Sequence, residues 1–190
     1  MSRRRALALA AVTVLAVIGA VAAATRSGAS ERGPLSRLSN EGRQVAVVRG
    51  AVWRHAGVGH ASLLATRGTR ALYRLESNAG PCVGAGPANA PGKLGTVDCP
   101  RGPFPTAALP VVDLSVYEAT SHESREVSLY RAEGVAADGV ATIAFLRPNG
   151  TVALKLPVTA NVYEASSIPQ GPIASVVAYD AAGKELWRSS

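Results

Sequence analysis

The side chains that could bind a metal are few and widely spaced in this sequence. The three histidines are His55, His60 and His122. His55 and His60 stand five residues apart in a glycine-rich segment, a spacing that suits one metal ion only on a loop, with His122 as a third ligand. Scattered surface histidines are the commoner arrangement. The sequence therefore predicts no metal site and no cofactor.

Acidic side chains collect in the middle of the chain, at Asp113, Glu118, Glu123, Glu126, Glu133 and Asp138. Paired carboxylates can hydrolyse glycosides, but these alternate with strand and loop positions as solvated faces do. Ser121 and Ser124 flank His122 without an evident orienting acid, and no Gly-x-Ser-x-Gly motif occurs. The side chains thus predict a protein that is not an enzyme.

Cys82 and Cys99 are the only cysteines, and we predict that they form a disulfide. An even cysteine count in an exported protein favours a bridge. The intervening segment is rich in glycine and proline, so we expect a loop that the bridge staples, with a gain of about 3 kcal/mol. A redox or metal pair is the alternative, but neither Cys-x-x-Cys nor clustered histidine accompanies it.

The beginning of the chain has the pattern of an export segment. Arg3, Arg4 and Arg5 precede an uncharged run that ends in small residues at position 24. We interpret residues 1–25 as a signal peptide cleaved before Thr25 or as a hydrophobic helix that anchors the chain. In the second case residues 6–24 contact the membrane as a single span with the amino terminus inside. Residues 26–43 resemble a flexible tether, and the remaining body is extracytoplasmic, either at the cell membrane or secreted.

The net charge of +7 belongs mostly to that first part of the chain. Residues 1–43 hold seven arginines and two glutamates, which leaves +2 for residues 44–190. The arginines of this body are single and have no interleaved aromatic residues. Nucleic-acid binding is therefore not expected.

Residues 44–190 show a period of two in many short stretches separated by turns. The clearest hairpin runs through Val140–Leu146 and Thr151–Val158, joined by Pro148, Asn149 and Gly150. A second hairpin is expected around Arg67-Gly68-Thr69-Arg70, and a single strand from Leu109 to Glu118. Asp138-Gly139 is expected to form a turn, and Asn161 to bond nearby backbone groups after its strand. About eight or nine strands without a helix predict an all-β domain, a single antiparallel β-sandwich of immunoglobulin-like or similar type.

One sequence pattern occurs twice in this domain. Val116-Tyr117-Glu118-Ala119 follows a Leu-Pro-Val segment, and Val162-Tyr163-Glu164-Ala165 follows another. Duplication of a strand-to-loop unit would explain the repeat. Convergence of two strand ends would also explain it, because the internal spacing differs by one residue.

The motif Gly134…Asp138-Gly139-Val140…Gly150…Asn161-Val162-Tyr163 resembles a pattern in exported actinobacterial β-domain proteins of unknown function. The resemblance implies export and a β-rich fold, with Tyr163 as a structural motif residue, and it implies no activity. We expect a non-catalytic binding or structural module of the cell envelope whose partner is an envelope protein or a ligand. The alternatives are the sensing part of an envelope signalling complex and an enzyme with an unrecognised site.

Overall fold

The computed structural model describes residues 35, 43–47, 57–78, 80–100, 104–119, 127–165, 167–169 and 171–189. All of them belong to one compact unit, Pro34–Ser190. This part of the chain contains thirteen strands and no helix, so the all-β prediction is confirmed for it. Accordingly, nothing among these residues is a helix able to cross a membrane. The predicted anchor at residues 6–24 lies outside the described residues, as does most of the predicted tether.

The strands form three antiparallel sheets. Sheet I has the order β1-β2-β3-β4-β5, with β1 Gln44–Ala46, β2 His60–Arg67, β3 Arg70–Ser77, β4 Gly80–Pro87 and β5 Thr96–Asp98. Sheet II has the order β11-β8-β6, with β7 also paired to β8; its strands are β6 Val111–Asp113, β7 Val116–Ala119, β8 Val127–Ala136 and β11 Val162–Ala165. Sheet III has the order β10-β9-β12-β13, with β9 Thr142–Leu146, β10 Val152–Pro157, β12 Ser175–Tyr179 and β13 Glu185–Arg188.

Sheet II has apolar side chains packed against it on both faces. On one face Val112 and Val135 cluster with Leu72 and other residues of sheet I. On the other face Tyr163 and Ala136 cluster with residues of sheet III, among them the ring of Phe145. Because successive side chains of a strand point to opposite faces, β8 supplies residues to both cores. Burial on both faces explains why β8 is buried continuously from Ala132 to Ala136.

The predicted central hairpin is present as β9 and β10. Its turn closes with a hydrogen bond from the Gly150 amide to the Arg147 carbonyl at 2.9 Å. Gly150 has a φ of 79°, a left-handed conformation that favours glycine. The Asn149 side chain accepts a hydrogen bond from the Thr151 amide at 3.0 Å. β9 then pairs with β12 on its other edge, so the hairpin is the start of sheet III.

Two predictions about local structure are wrong. The expected strand from Leu109 to Glu118 is divided into β6 and β7, because the ladder is interrupted between Asp113 and Val116. In this interruption the Ser115 hydroxyl accepts a hydrogen bond from the Glu133 amide of β8. The segment after Cys82 is also not an unpacked loop. Its first five residues, Val83 to Pro87, belong to the buried strand β4, which is paired with β3 along its whole length. The glycines and alanines of β4 allow neighbouring segments of the same chain to approach closely. A Cβ on Gly86, for example, would collide with the backbone of Lys93.

Candidate functional site

The carboxylate of Asp113 is the centre of a hydrogen-bond network on β8 and its two neighbours. It accepts hydrogen bonds from the Tyr117 hydroxyl at 2.6 Å and from the Tyr163 hydroxyl at 2.8 Å. The Ser115 hydroxyl and the Ser115 amide also donate to it. Three hydroxyl groups therefore satisfy one half-buried negative charge. This arrangement contradicts the expectation that Asp113 belongs to a solvated face.

The two tyrosines come from the repeated Val-Tyr-Glu-Ala segments. Tyr117 lies on β7 and Tyr163 on β11, and these strands pair with β8 from opposite sides. Tyr163 must reach across β8 at Gly134, its cross-strand partner. A Cβ at Gly134 would overlap the Tyr163 ring and hydroxyl, so only glycine fits beneath this side chain. In both copies of the repeat the tyrosine hydroxyl therefore donates to the same carboxylate, that of Asp113.

Both tyrosines are held as neutral phenols. Burial raises the pKa of the Tyr163 hydroxyl well above its usual value, and the charge of Asp113 raises it further. Burial is also the main cause of the raised pKa of Tyr117, again reinforced by Asp113. A phenol that keeps its proton can donate to a carboxylate at any physiological pH. The network is therefore suited to fix three strands in place.

Glu133 forms an ion pair that joins sheet I to sheet II. Arg70, the first residue of β3, donates from Nε to Oε2 at 2.9 Å and from Nη2 to Oε1 at 2.7 Å. The Glu133 side chain is 3% exposed and that of Arg70 is 15% exposed. Arg131 adds a second guanidinium 3.9 Å from Oε1. The prediction that Glu133 is solvated is wrong, because its carboxylate is buried beneath two arginines.

An open depression of about 660 Å³ lies beside this ion pair. Its wall contains the Gly68-Thr69 turn, Arg70, Glu133 and Arg131, together with Glu164 and Tyr130. Glu164 stands directly opposite Glu133 in the pairing of β11 with β8. Unlike the Asp113 network, this place combines charged side chains with access from solvent. It is the candidate functional site.

Tyr130 projects at the edge of this depression because of a β-bulge. The pairing of β7 with β8 passes from Arg131 directly to Leu129 and leaves Tyr130 without a partner in the ladder. A bulge of this kind redirects a side chain out of the sheet. The Tyr130 side chain is 58% exposed, and the Arg131 guanidinium lies 5.8 Å from its ring centroid.

Of the residues singled out from the sequence Glu133 lines the depression, whereas the disulfide and turn residues do not. Cys82 and Cys99 have their sulfurs 2.02 Å apart, the length of a disulfide, and Cys82 is buried on β4. Asn161 is fully buried, with a φ of 63°. Its amide donates to the Ala136 carbonyl at 2.8 Å and to Asp138 at 2.9 Å, so it bonds a distant strand end and not only nearby backbone. The predicted turn residues also lie outside the wall of the depression; these are Gly139, Pro148, Asn149 and Gly150.

The described residues do not assemble a familiar catalytic or metal-binding set. No group of three or more His, Cys, Asp or Glu side chains among them could hold a metal ion. Within the same part of the chain the only histidine is His60, exposed at the start of β2, while His55 and His122 lie outside it. The Ser115 hydroxyl donates a hydrogen bond to Asp113. A serine becomes a nucleophile in the familiar triads through a histidine base, so this hydrogen bond alone does not form such a set.

Arg70, Arg131 and Tyr130 were not singled out from the sequence, and Glu133 was placed on a solvated face. Glu133 and Arg131 occur on alternate positions of a strand, which usually indicates a solvated face, and the packing of sheet I on that face buries Glu133. One available signal was the repeated Val-Tyr-Glu-Ala segment, since each copy places a tyrosine in a strand beside β8. Comparison with protein-family models, with curated proteins and with solved structures gives no match.

Proposed function

We propose that this chain is a non-catalytic binding module that acts outside the cytoplasm, tethered to the membrane by residues 6–24 or released from it. Its working surface is the depression between β3, β8 and β11. The finer fold assignment, a β-sandwich, is part of the same proposal; the face-to-face packing of sheet II on sheets I and III supports it, with three sheets where the immunoglobulin type has two.

One observation carries the proposal: some polar groups near β8 are fully bonded to other protein groups, whereas others are partly exposed to solvent. Asp113, Tyr117 and Tyr163 bond one another inside the sheet. In contrast, Arg131 is 35% exposed and lines the depression. Groups already saturated by protein partners hold a structure, whereas partly free groups on rigid strands can bind a ligand.

The cysteine pair supports the location. A disulfide between Cys82 and Cys99 is compatible with an oxidising compartment and uncommon in the cytoplasm. The net positive charge at the start of the chain and the uncharged run after it support export independently.

Two reporters fused after Ser190 test the location. Alkaline phosphatase folds only where its own disulfides form, and green fluorescent protein exported in an unfolded state does not fluoresce. We expect high phosphatase activity and no fluorescence. Fluorescence without phosphatase activity would place the body in the cytoplasm and refute the proposal. Amino-terminal sequencing of the mature chain then separates cleavage before Thr25 from retention of the anchor.

A further inference from the structure

We propose that Tyr130 and the depression beside it bind a neutral oligosaccharide. This inference deepens the proposed function and rests on it, since it names the class of ligand that the binding module takes. The exposed ring would stack on the apolar face of a sugar, while the charged side chains of the wall bond its hydroxyl groups.

First, the Tyr130 ring is exposed to solvent. Among the described residues Tyr130 is the most exposed large apolar side chain, and a β-bulge turns it outward from β8, which is buried from Ala132 to Ala136. An exposed tyrosine keeps both its apolar ring and its hydroxyl available to a ligand. Among the described residues the other exposed large apolar side chains are Val152 on β10 and Leu186 on β13, and neither lines the depression. One isolated ring suits a small stacked ligand better than a broad protein interface.

The second argument is that the ring and its polar neighbours are held in place before any ligand arrives. The Arg131 guanidinium lies over the Tyr130 ring, which remains 58% exposed. Arg131 is itself positioned by Glu133, which the bidentate contact with Arg70 fixes. A site with restrained side chains loses less entropy when it binds.

The third argument is the balance of charge in the wall. Arg70 and Arg131 carry two positive charges, and Glu133 and Glu164 carry two negative charges. A wall without net charge gives no electrostatic preference for a polyanion or a polycation. Its more exposed groups, the Arg131 guanidinium and the Glu164 carboxylate, offer a planar donor and a planar acceptor for the hydroxyl groups of a sugar.

The fourth argument concerns length. Tyr130 also lines a second depression, of about 340 Å³, together with Glu118, Ser128 and Ile168 among others. A ligand stacked on Tyr130 therefore has space to extend into both depressions. A chain of several sugar units fits this layout better than a single sugar does.

The test is ligand-observed saturation-transfer NMR on the full chain, purified in lauryldimethylamine oxide because glycosidic detergents would compete. The probes are maltotetraose, cellotetraose and chitotetraose, with a glutamate oligopeptide as the charged comparison. Tyr130→Ala removes the ring and Tyr130→Phe keeps it. Val152→Ala is the matched control, since Val152 is also a large exposed apolar residue, 52% exposed, outside the site. Circular dichroism checks that each variant is folded.

We expect saturation transfer to at least one tetrasaccharide. Its affinity should fall about tenfold or more in Tyr130→Ala, as loss of a stacked ring implies, and stay close to that of the unmodified chain in Tyr130→Phe and Val152→Ala. Binding to none of the three sugars, equal binding by folded Tyr130→Ala, or binding of the glutamate peptide alone would each overturn the inference. If no sugar binds but the phosphatase fused after Ser190 is active, this inference fails while the proposed binding module and its location outside the cytoplasm are retained.

Discussion

At the scale of single residues, the stability of the protein should be sensitive to the ion pair between Arg70 and Glu133, because both side chains are largely buried. Glu133→Gln leaves the guanidinium of Arg70 largely buried without its counter-charge. We expect the free energy of unfolding in urea to fall by about 3–5 kcal/mol. The double variant Arg70→Met/Glu133→Leu should lose less than the sum of the two single changes, because neither charge then remains buried alone.

The exposed pair Arg74 and Glu76 provides the matched control. Its atoms are 3.2 Å apart, but its side chains are 60% and 73% exposed. A double-mutant cycle on this pair should give less than about 1 kcal/mol of coupling. Equal coupling energies for the buried and the exposed pair would show that the Arg70–Glu133 contact is not formed as described.

The tyrosine network predicts a loss of stability at high pH. The pKa values of Tyr117 and Tyr163 are raised by burial, so the folded protein keeps protons that the unfolded chain releases above about pH 10. Their contribution is therefore intact below that pH and declines as the pH rises further, by up to about 1.4 kcal/mol per pH unit for each tyrosine. Urea unfolding between pH 9 and 11.5 measures it. Tyr163→Phe should flatten the decline; parallel curves for the two proteins would contradict this.

Sequence reasoning worked at this scale where local geometry decides the residue. Gly150 was recognised because its turn requires a left-handed conformation. Glu133, Arg70 and Asp113 were misjudged because their burial depends on contacts between residues far apart in the chain. Arg70 and Glu133 are 63 positions apart. No pattern within a single strand indicates that a sheet will cover its charged face.

At the scale of elements, the packing of β11 on β8 depends on the absence of a side chain at Gly134. Gly134→Ala would place a methyl group against the Tyr163 ring and 2.5 Å from the Val112 carbonyl oxygen. We expect the free energy of unfolding to fall by about 1–3 kcal/mol, with displacement of Tyr163 from Asp113. Equilibrium unfolding measures the loss.

Gly95→Ala is the control for this change. A Cβ at Gly95 would have the Ala85 oxygen at 3.7 Å as its nearest neighbour, an ordinary contact. This variant should be close to neutral, or slightly stabilised because the unfolded chain loses freedom. A Gly134→Ala protein as stable as Gly95→Ala would mean that Tyr163 does not cross β8 at this position.

The strands that could be predicted from the sequence are those in which apolar and polar residues alternate most clearly. The β9–β10 hairpin alternates clearly, and the predicted hairpin around Arg67-Gly68-Thr69-Arg70 is present as β2 and β3. β4 was missed because its glycines, alanines and prolines have poor strand propensity on their own. That strand is stabilised by its neighbours β3 and β5, whose close approach requires small residues.

At the scale of the whole molecule, the period-two patterning indicated the β class but not the division into three sheets. β6, β7 and β11 are three or four residues long, and their partners are set by β8, which pairs with all of them. The depression is a product of this scale, because its wall combines β3 of sheet I with β8 and β11 of sheet II. It could not be located before the sheets were assembled.

The location outside the cytoplasm is tested most directly by the state of Cys82 and Cys99 in the living host. Cells are quenched in acid, free thiols are alkylated, and the intact mass of the full chain is measured without reduction. We predict a mass without alkyl groups, two hydrogens below the reduced form, and two added groups only after prior reduction. Two alkylated thiols in the unreduced chain would contradict both the bridge and the extracytoplasmic location.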